Sequence, residues 1–170
     1  MEKLNIKKLS KTAIIPTKAH YYDAGFDMYS DENVTIQNGE HYKIKTGIAV
    51  QIPEGHVGIL TARSGINHKS PLRILLGIID AGYEGDISVL VDNRSESSDY
   101  LNKYFISTYL KDYSLNYQEK YKNNNVYHIK QGDKIAQLVI VPISQFETNV
   151  VEEFTSQSER GESGFGSTSI

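Results

Sequence analysis

Short apolar runs separated by polar turns recur along most of this chain. Val34-Thr35-Ile36 stops at Asn38-Gly39, a turn pair. The stretch from Tyr42 to Val50 alternates apolar and polar residues and then becomes fully apolar, until Pro53-Glu54-Gly55 breaks it. Val57 to Leu60, Arg73 to Ile79, Ile87 to Val91, Tyr127 to Lys130 and Gln137 to Ile143 continue the series. Many short strands with turn signals every ten or so residues predict an all-β barrel or sandwich. Gly65-Ile66-Asn67-His68-Lys69-Ser70 predicts one short helix after Ser64.

Two segments depart from this pattern. After the polar break Ser95-Glu96-Ser97-Ser98-Asp99, the residues Tyr100, Tyr104, Tyr109, Tyr113, Tyr117 and Tyr121 recur every four or five positions, with Leu101, Phe105, Ile106, Leu110 and Leu115 among them. A spacing near four suits one face of a helix, so 95–125 is expected to be a partly helical insertion projecting from the β domain. Residues 160–170, Arg160-Gly161-Glu162-Ser163-Gly164-Phe165-Gly166-Ser167-Thr168-Ser169-Ile170, have no apolar period and cannot build a core. The expected organisation is one β domain over 1–159, with the insertion at about 95–125, and a flexible C-terminal arm over 160–170.

A chain of 170 residues buries a core without staples, and the absence of cysteine means that the fold needs no oxidising compartment. The N-terminus has no apolar h-region and no run approaches a membrane span, so a cytoplasmic location is expected, with no membrane contact. The formal net charge of −3 gives no overall attraction to nucleic acid, and direct nucleic-acid binding is not expected. A local basic pocket for a small polyanion remains compatible with it. The five histidines are scattered and no His/Cys cluster points to zinc.

The arm nevertheless carries the parts of a nucleotide clamp. Its glycines let backbone N–H groups approach phosphate, Arg160 offers a bidentate fork, Ser167 and Thr168 offer hydroxyls, and Phe165 offers a flat face for a base. Upstream stand Ala24-Gly25-Phe26-Asp27, Ala62-Arg63-Ser64-Gly65, Gly77-Ile78-Ile79-Asp80-Ala81-Gly82-Tyr83-Glu84-Gly85 and Gly132-Asp133-Lys134-Ile135-Ala136-Gln137-Leu138. These four blocks and the arm, in this order, resemble the five motifs of the homotrimeric dUTPases. The resemblance covers nearly the whole chain except the 95–125 stretch.

That resemblance implies a jelly-roll-like β-barrel, a homotrimer with shared sites, and hydrolysis of dUTP to dUMP and pyrophosphate. Asp80 becomes the base that holds the attacking water. Tyr83 packs on the deoxyribose and excludes a 2′-hydroxyl, and the hairpin from Gly77 through Ile79 to Tyr83 reads uracil with backbone groups. Ser64, Gly65 and Gln137 contact phosphate, and Arg63 either assists them or forms a structural ion pair. Ser64 is alternatively a plain N-cap, and Asp27 either organises the site and a metal's water shell or is a buried structural carboxylate. Lys134 stands where the family frequently has arginine, and its pairing is left open. In the arm, Arg160, Gly166, Ser167 and Thr168 serve the phosphates and Phe165 stacks on the base. Mg²⁺ is implied, held by the triphosphate and waters with no direct protein ligand.

Two alternatives compete with this reading. A related dCTP deaminase would share the β fold and an Arg-Ser phosphate motif. A regulatory binding module is the other, because the tyrosine-rich insertion has no part in the catalytic plan and tyrosine is enriched at interfaces. Such an insertion is similar to that of staphylococcal phage dUTPases, some of which bind repressors of pathogenicity islands. The resemblance therefore implies a possible repressor partner through 95–125.

Overall fold

The computed structural model describes residues 3–94 and 126–155. Eleven strands and one short helix are present among them. In chain order the strands are β1 (Asn5–Lys8), β2 (Gly25–Tyr29), β3 (Val34–Ile36), β4 (His41–Ile44), β5 (Ile48–Gln51), β6 (His56–Thr61), β7 (Leu72–Ile74), β8 (Gly77–Ile79), β9 (Val89–Asn93), β10 (Tyr127–Ile129) and β11 (Lys134–Pro142); α1 (Ser64–Lys69) lies between β6 and β7.

The strands form four sheets: β2-β11-β6-β8, β4-β9-β7, β1-β5 and β10-β3, and every pairing is antiparallel. Their inner faces meet in one cluster. Met28, Leu60 and Leu138 enter from the four-stranded sheet, Ile44, Leu72, Val89 and Val91 from the three-stranded sheet, and Ile36, Ile48 and Val50 from the two smaller ones. Alternation along β3 (buried, exposed, buried) follows from the period of two along a pleated strand. The all-β, jelly-roll-like expectation is met.

Several details differ from the pattern-based reading. The run from Tyr42 to Val50 is two strands, because Gly47 adopts φ 64° and sends β5 to a different sheet from β4. The apolar run Arg73 to Ile79 is likewise split between β7 and β8, with Leu75 and Leu76 exposed at the crossing. Strands β1 and β2 escape the apolar pattern. The first is a lysine-bearing, mostly exposed edge, and the second coincides with a motif whose polar Asp27 interrupts the apolar series. The helix begins one residue earlier than predicted. The insertion at 95–125 and the arm at 160–170 lie outside the described residues.

Candidate active site

The longest strand, β11, organises one cluster of the motif residues. Gln137 pairs with Asp27 on β2 and with Thr61 on β6, so two motifs and the strand that leads into a third meet in one row of the sheet. Arg63 follows two residues after Thr61, and Lys134 begins β11. The Asp27 carboxylate is shared between them. Arg63 Nε donates to Oδ1 at 2.8 Å and Lys134 Nζ to Oδ2 at 2.7 Å, with all three side chains mostly buried. Asp27 therefore holds its place through side-chain cations. The ion-pair alternative for Arg63 is present, and Lys134 makes a point contact where a guanidinium could have formed a fork. Its hydrogen bond to Asp27 holds the Lys134 ammonium pKa above the usual lysine value.

Gln137 is set by two neighbours. Its Nε2 donates to the Ala62 carbonyl at 3.0 Å, and a Cβ added to Gly25 would stand 2.8 Å from Gln137 Oε1. Any larger residue at position 25 would push the amide out of this pose. Arg63, with φ −77° and ψ 143°, is the N-cap of α1 and makes no side-chain cap, so Ser64 is the first helical residue. The N-cap alternative for Ser64 is corrected accordingly: the chain turns helical one residue before that reading requires, and the Ser64 side chain is exposed.

These residues wall an open cavity of about 530 Å³. Asp27, Arg63, Ser64, Gly65, Lys134 and Gln137 supply its polar side, while Leu72 and Ile74 are among the apolar residues that complete it. Arg63, Lys69 and Lys134 line the cavity together with Asp23, Asp27 and Asp133, so cationic donors are present although the formal charges balance, and amide and hydroxyl donors stand beside them. This wall suits a phosphate chain. Lys69 and Asp133 also line the cavity and were not singled out from the sequence. Burial pushes the Asp133 carboxyl pKa up, although the Lys130 backbone N–H donates to it at 2.7 Å. The Gly-Asp turn ahead of Lys134 was the only signal for Asp133.

The second cluster, Gly77, Ile79, Asp80 and Tyr83, is elsewhere. Strand β8 forms one edge of the four-stranded sheet and pairs only with β6 among the described residues, so it is an edge strand followed by a turn and not a two-stranded hairpin. Its outer edge leaves backbone donors and acceptors of alternate residues unpaired by strand. Tyr83 N donates to Asp80 O at 3.2 Å and Gly82 has φ 91°, as a type II turn requires at its third position. Both Asp80 and Tyr83 are exposed.

Register separates the clusters. Ile79 lies opposite Gly58, so Asp80 continues toward the His56 end of β6, whereas Arg63 leaves from the Thr61 end. At about 3.3 Å per residue, the level of Asp80 is roughly 20 Å from Arg63 along the strand direction. The structure thus brings together Asp27, Arg63, Ser64, Gly65, Lys134 and Gln137, and separately Gly77, Ile79, Asp80 and Tyr83. Arg160, Phe165, Gly166, Ser167 and Thr168 lie outside the described residues. Among the described residues no cluster of three or more His, Cys, Asp or Glu could hold a metal, and no helix is long and apolar enough to cross a membrane.

The dUTPase family model matches residues 11–105 and 120–169 of this chain. The deoxyuridine 5′-triphosphate nucleotidohydrolase of Nautilia profundicola is 38% identical over 168 residues, covering 98% of both chains. The dUTPase of Staphylococcus bacteriophage 80alpha, solved with dUPNHPP, is 40% identical over 100% of both chains with a TM-score of 0.85. That work describes phage dUTPases as controlling the transfer of virulence genes by a proto-oncogenic G protein-like mechanism. A mutant dUTPase from phage phi11 of S. aureus, whose structure reveals coordination of a structural Mg(II) ion, is 38% identical over 91% of this chain and 100% of its own, with a TM-score of 0.77.

Proposed function

This chain belongs to the dUTPase family and is a dUTP nucleotidohydrolase, and from that premise we propose how its residues divide the work. The triphosphate lies along the cavity wall of Ser64, Gly65 and Gln137, with the cationic donors of the Arg63–Asp27–Lys134 cluster behind it. Uracil meets the open backbone edge of β8 at Gly77 and Ile79, where main-chain donors and acceptors imitate a pairing partner and disfavour cytosine. The Tyr83 ring lies on the deoxyribose, and Asp80 orients the attacking water and takes its proton. Arg160, Gly166, Ser167 and Thr168 close over the phosphates, with Phe165 on the base.

Mg²⁺ fits this arrangement as a substrate-borne ion. Both oxygens of Asp27 already receive cations, so the ion would be held by triphosphate oxygens and waters, with Asp27 organising its surroundings. When bound, it neutralises charge on the phosphates.

The observation that carries the shared-site part of this reading is the separation of Asp80 from Arg63 at opposite ends of β6. One chain cannot offer both to one nucleotide, and the family's homotrimer supplies the second copy. The segment after β11 points the same way, since Phe146, Val150 and Phe154 are 89%, 97% and 90% exposed and need an apolar cover. Co-expressing Asp80→Asn with Gln137→Ala tests it. Mixed oligomers regain turnover above the sum of the two parents if each site takes Asp80 from one chain and Gln137 from another; no recovery in verified mixed trimers would refute the shared site. Assaying dCTP for conversion to dUTP separates this activity from a deaminase.

A second role follows from the similarity to phage dUTPases that control transfer of virulence genes. Residues 95–125, rich in tyrosine, are proposed to bind a repressor protein. The test is to capture the partner with the full chain and with a 95–125 deletion, each with and without a non-hydrolysable dUTP analogue.

A further inference from the structure

We propose that Gly85 is a specificity-determining position that keeps the Tyr83 ring fixed as a wall against ribonucleotides. The inference rests on the reading of Tyr83 as the residue that meets the sugar. Steric exclusion of one hydroxyl works only if the wall does not yield. Tyr83 stands in an exposed turn with 46% of its surface open, where an aromatic side chain ordinarily exchanges rotamers freely. Something must hold it.

The geometry around position 85 does so. The ring folds back over Gly85, so that a Cβ built there would lie 2.5 Å from Tyr83 Oη, 2.7 Å from Cζ and 3.1 Å from Cε2. The space a side chain at 85 would need is filled by the ring. Beyond it, Tyr83 Oη donates to the Asp86 carbonyl at 3.0 Å. That carbonyl also accepts the Ser88 backbone N–H at 3.1 Å, and Ser88 Oγ donates to Asp86 Oδ2 at 2.5 Å. The acceptor is therefore fixed. The ring is held by close backing from Gly85 and by its hydroxyl on an immobilised carbonyl, leaving an open surface toward a ligand.

An alanine at 85 must displace the ring. Because Tyr83 is exposed, displacement breaks little packing, and the fold should survive with its wall moved. The experiment measures kcat/KM for dUTP and UTP, with oligomeric state, on the full-length enzyme and on Gly85→Ala, Tyr83→Phe, Tyr83→Ala and the double Gly85→Ala/Tyr83→Ala variant. Gly85→Ala should lower dUTP-over-UTP selectivity by about 10-fold or more. Tyr83→Phe, which loses only the hydroxyl anchor, should lower it by roughly 3- to 10-fold. The double variant should match Tyr83→Ala, because Gly85 acts through the ring.

Undiminished selectivity in Gly85→Ala, with UTP admitted by Tyr83→Ala, overturns the inference and leaves the role of Tyr83 intact. A Tyr83→Ala enzyme that still rejects UTP removes Tyr83 from sugar discrimination, and the inference with it. If Gly85→Ala does not fold, Tyr83→Phe decides: unchanged selectivity there overturns the clamp.

Discussion

The cavity around Asp27 and the edge around Tyr83 lie on the same four-stranded sheet, yet they are built differently. In the cavity, functional side chains hold one another. Asp27 joins Arg63 to Lys134, and Gln137 rests between the Ala62 carbonyl and the bare face of Gly25. At the edge the backbone does the holding, through one turn, one edge strand and an aromatic ring folded on its own chain. A phosphate chain needs charge, and buried charge must be paired and supported. A base and a sugar need shape and hydrogen-bond pattern, which main chain supplies without desolvating an ion. The cavity should therefore be sensitive in stability, and the edge in turnover and selectivity.

Four changes break or sharpen that comparison, in decreasing order of expected effect. Asp80→Asn removes the proposed base from an exposed turn. Turnover should fall by about 10²- to 10⁴-fold with the melting temperature and dUTP binding nearly unchanged; near-parental kcat would move the base elsewhere. Truncation after Glu159 removes Arg160, Phe165, Ser167 and Thr168 while sparing every strand among the described residues. It should leave a folded protein with kcat/KM lower on the order of 10²-fold, and loss of folding would show that residues 160–170 serve the β domain.

Asp27→Ala acts in the opposite sense. It leaves Arg63 and Lys134 as like charges without their shared carboxylate, and should destabilise the protein by about 3 kcal/mol, read from denaturant unfolding. A stability unchanged from the parent would mean that the cavity is not interlocked. Replacing 95–125 with a short Gly/Ser turn should have the smallest catalytic effect, within about twofold of parental turnover because the candidate catalytic motifs lie outside it, while abolishing capture of the proposed repressor partner. Lost hydrolysis in a folded protein would assign the insertion to catalysis.

Much of the fold, and the family, was legible in the chain. Alternation and turn residues gave the β class, and β11, Lys134–Pro142, runs through the apolar residues of the Gln137 to Ile143 segment. The candidate site residues could be proposed because each chemistry needs a particular group: a carboxylate for water, a guanidinium and hydroxyls for phosphate, a ring for the sugar. Less legible were the strands without an apolar signature. β1 is an exposed edge, and β2 carries an ion pair where a core residue would ordinarily stand. The pairing of Lys134 was equally hidden, since its partner lies far upstream in the sequence and meets it only through the β2–β11 register.

The sequence by itself determined the period of the strands, the residue types of the site and the order of its motifs, because these depend on local backbone preference and on side-chain chemistry. Only the tertiary structure decided which motifs share a wall. Antiparallel register placed Asp27, Gln137 and Thr61 in one row and carried Asp80 toward the far end of β6. It also decided that Gly25 and Gly85 make room for Gln137 and Tyr83, since the need for an absent side chain is visible only when the atom that would collide with it is in place.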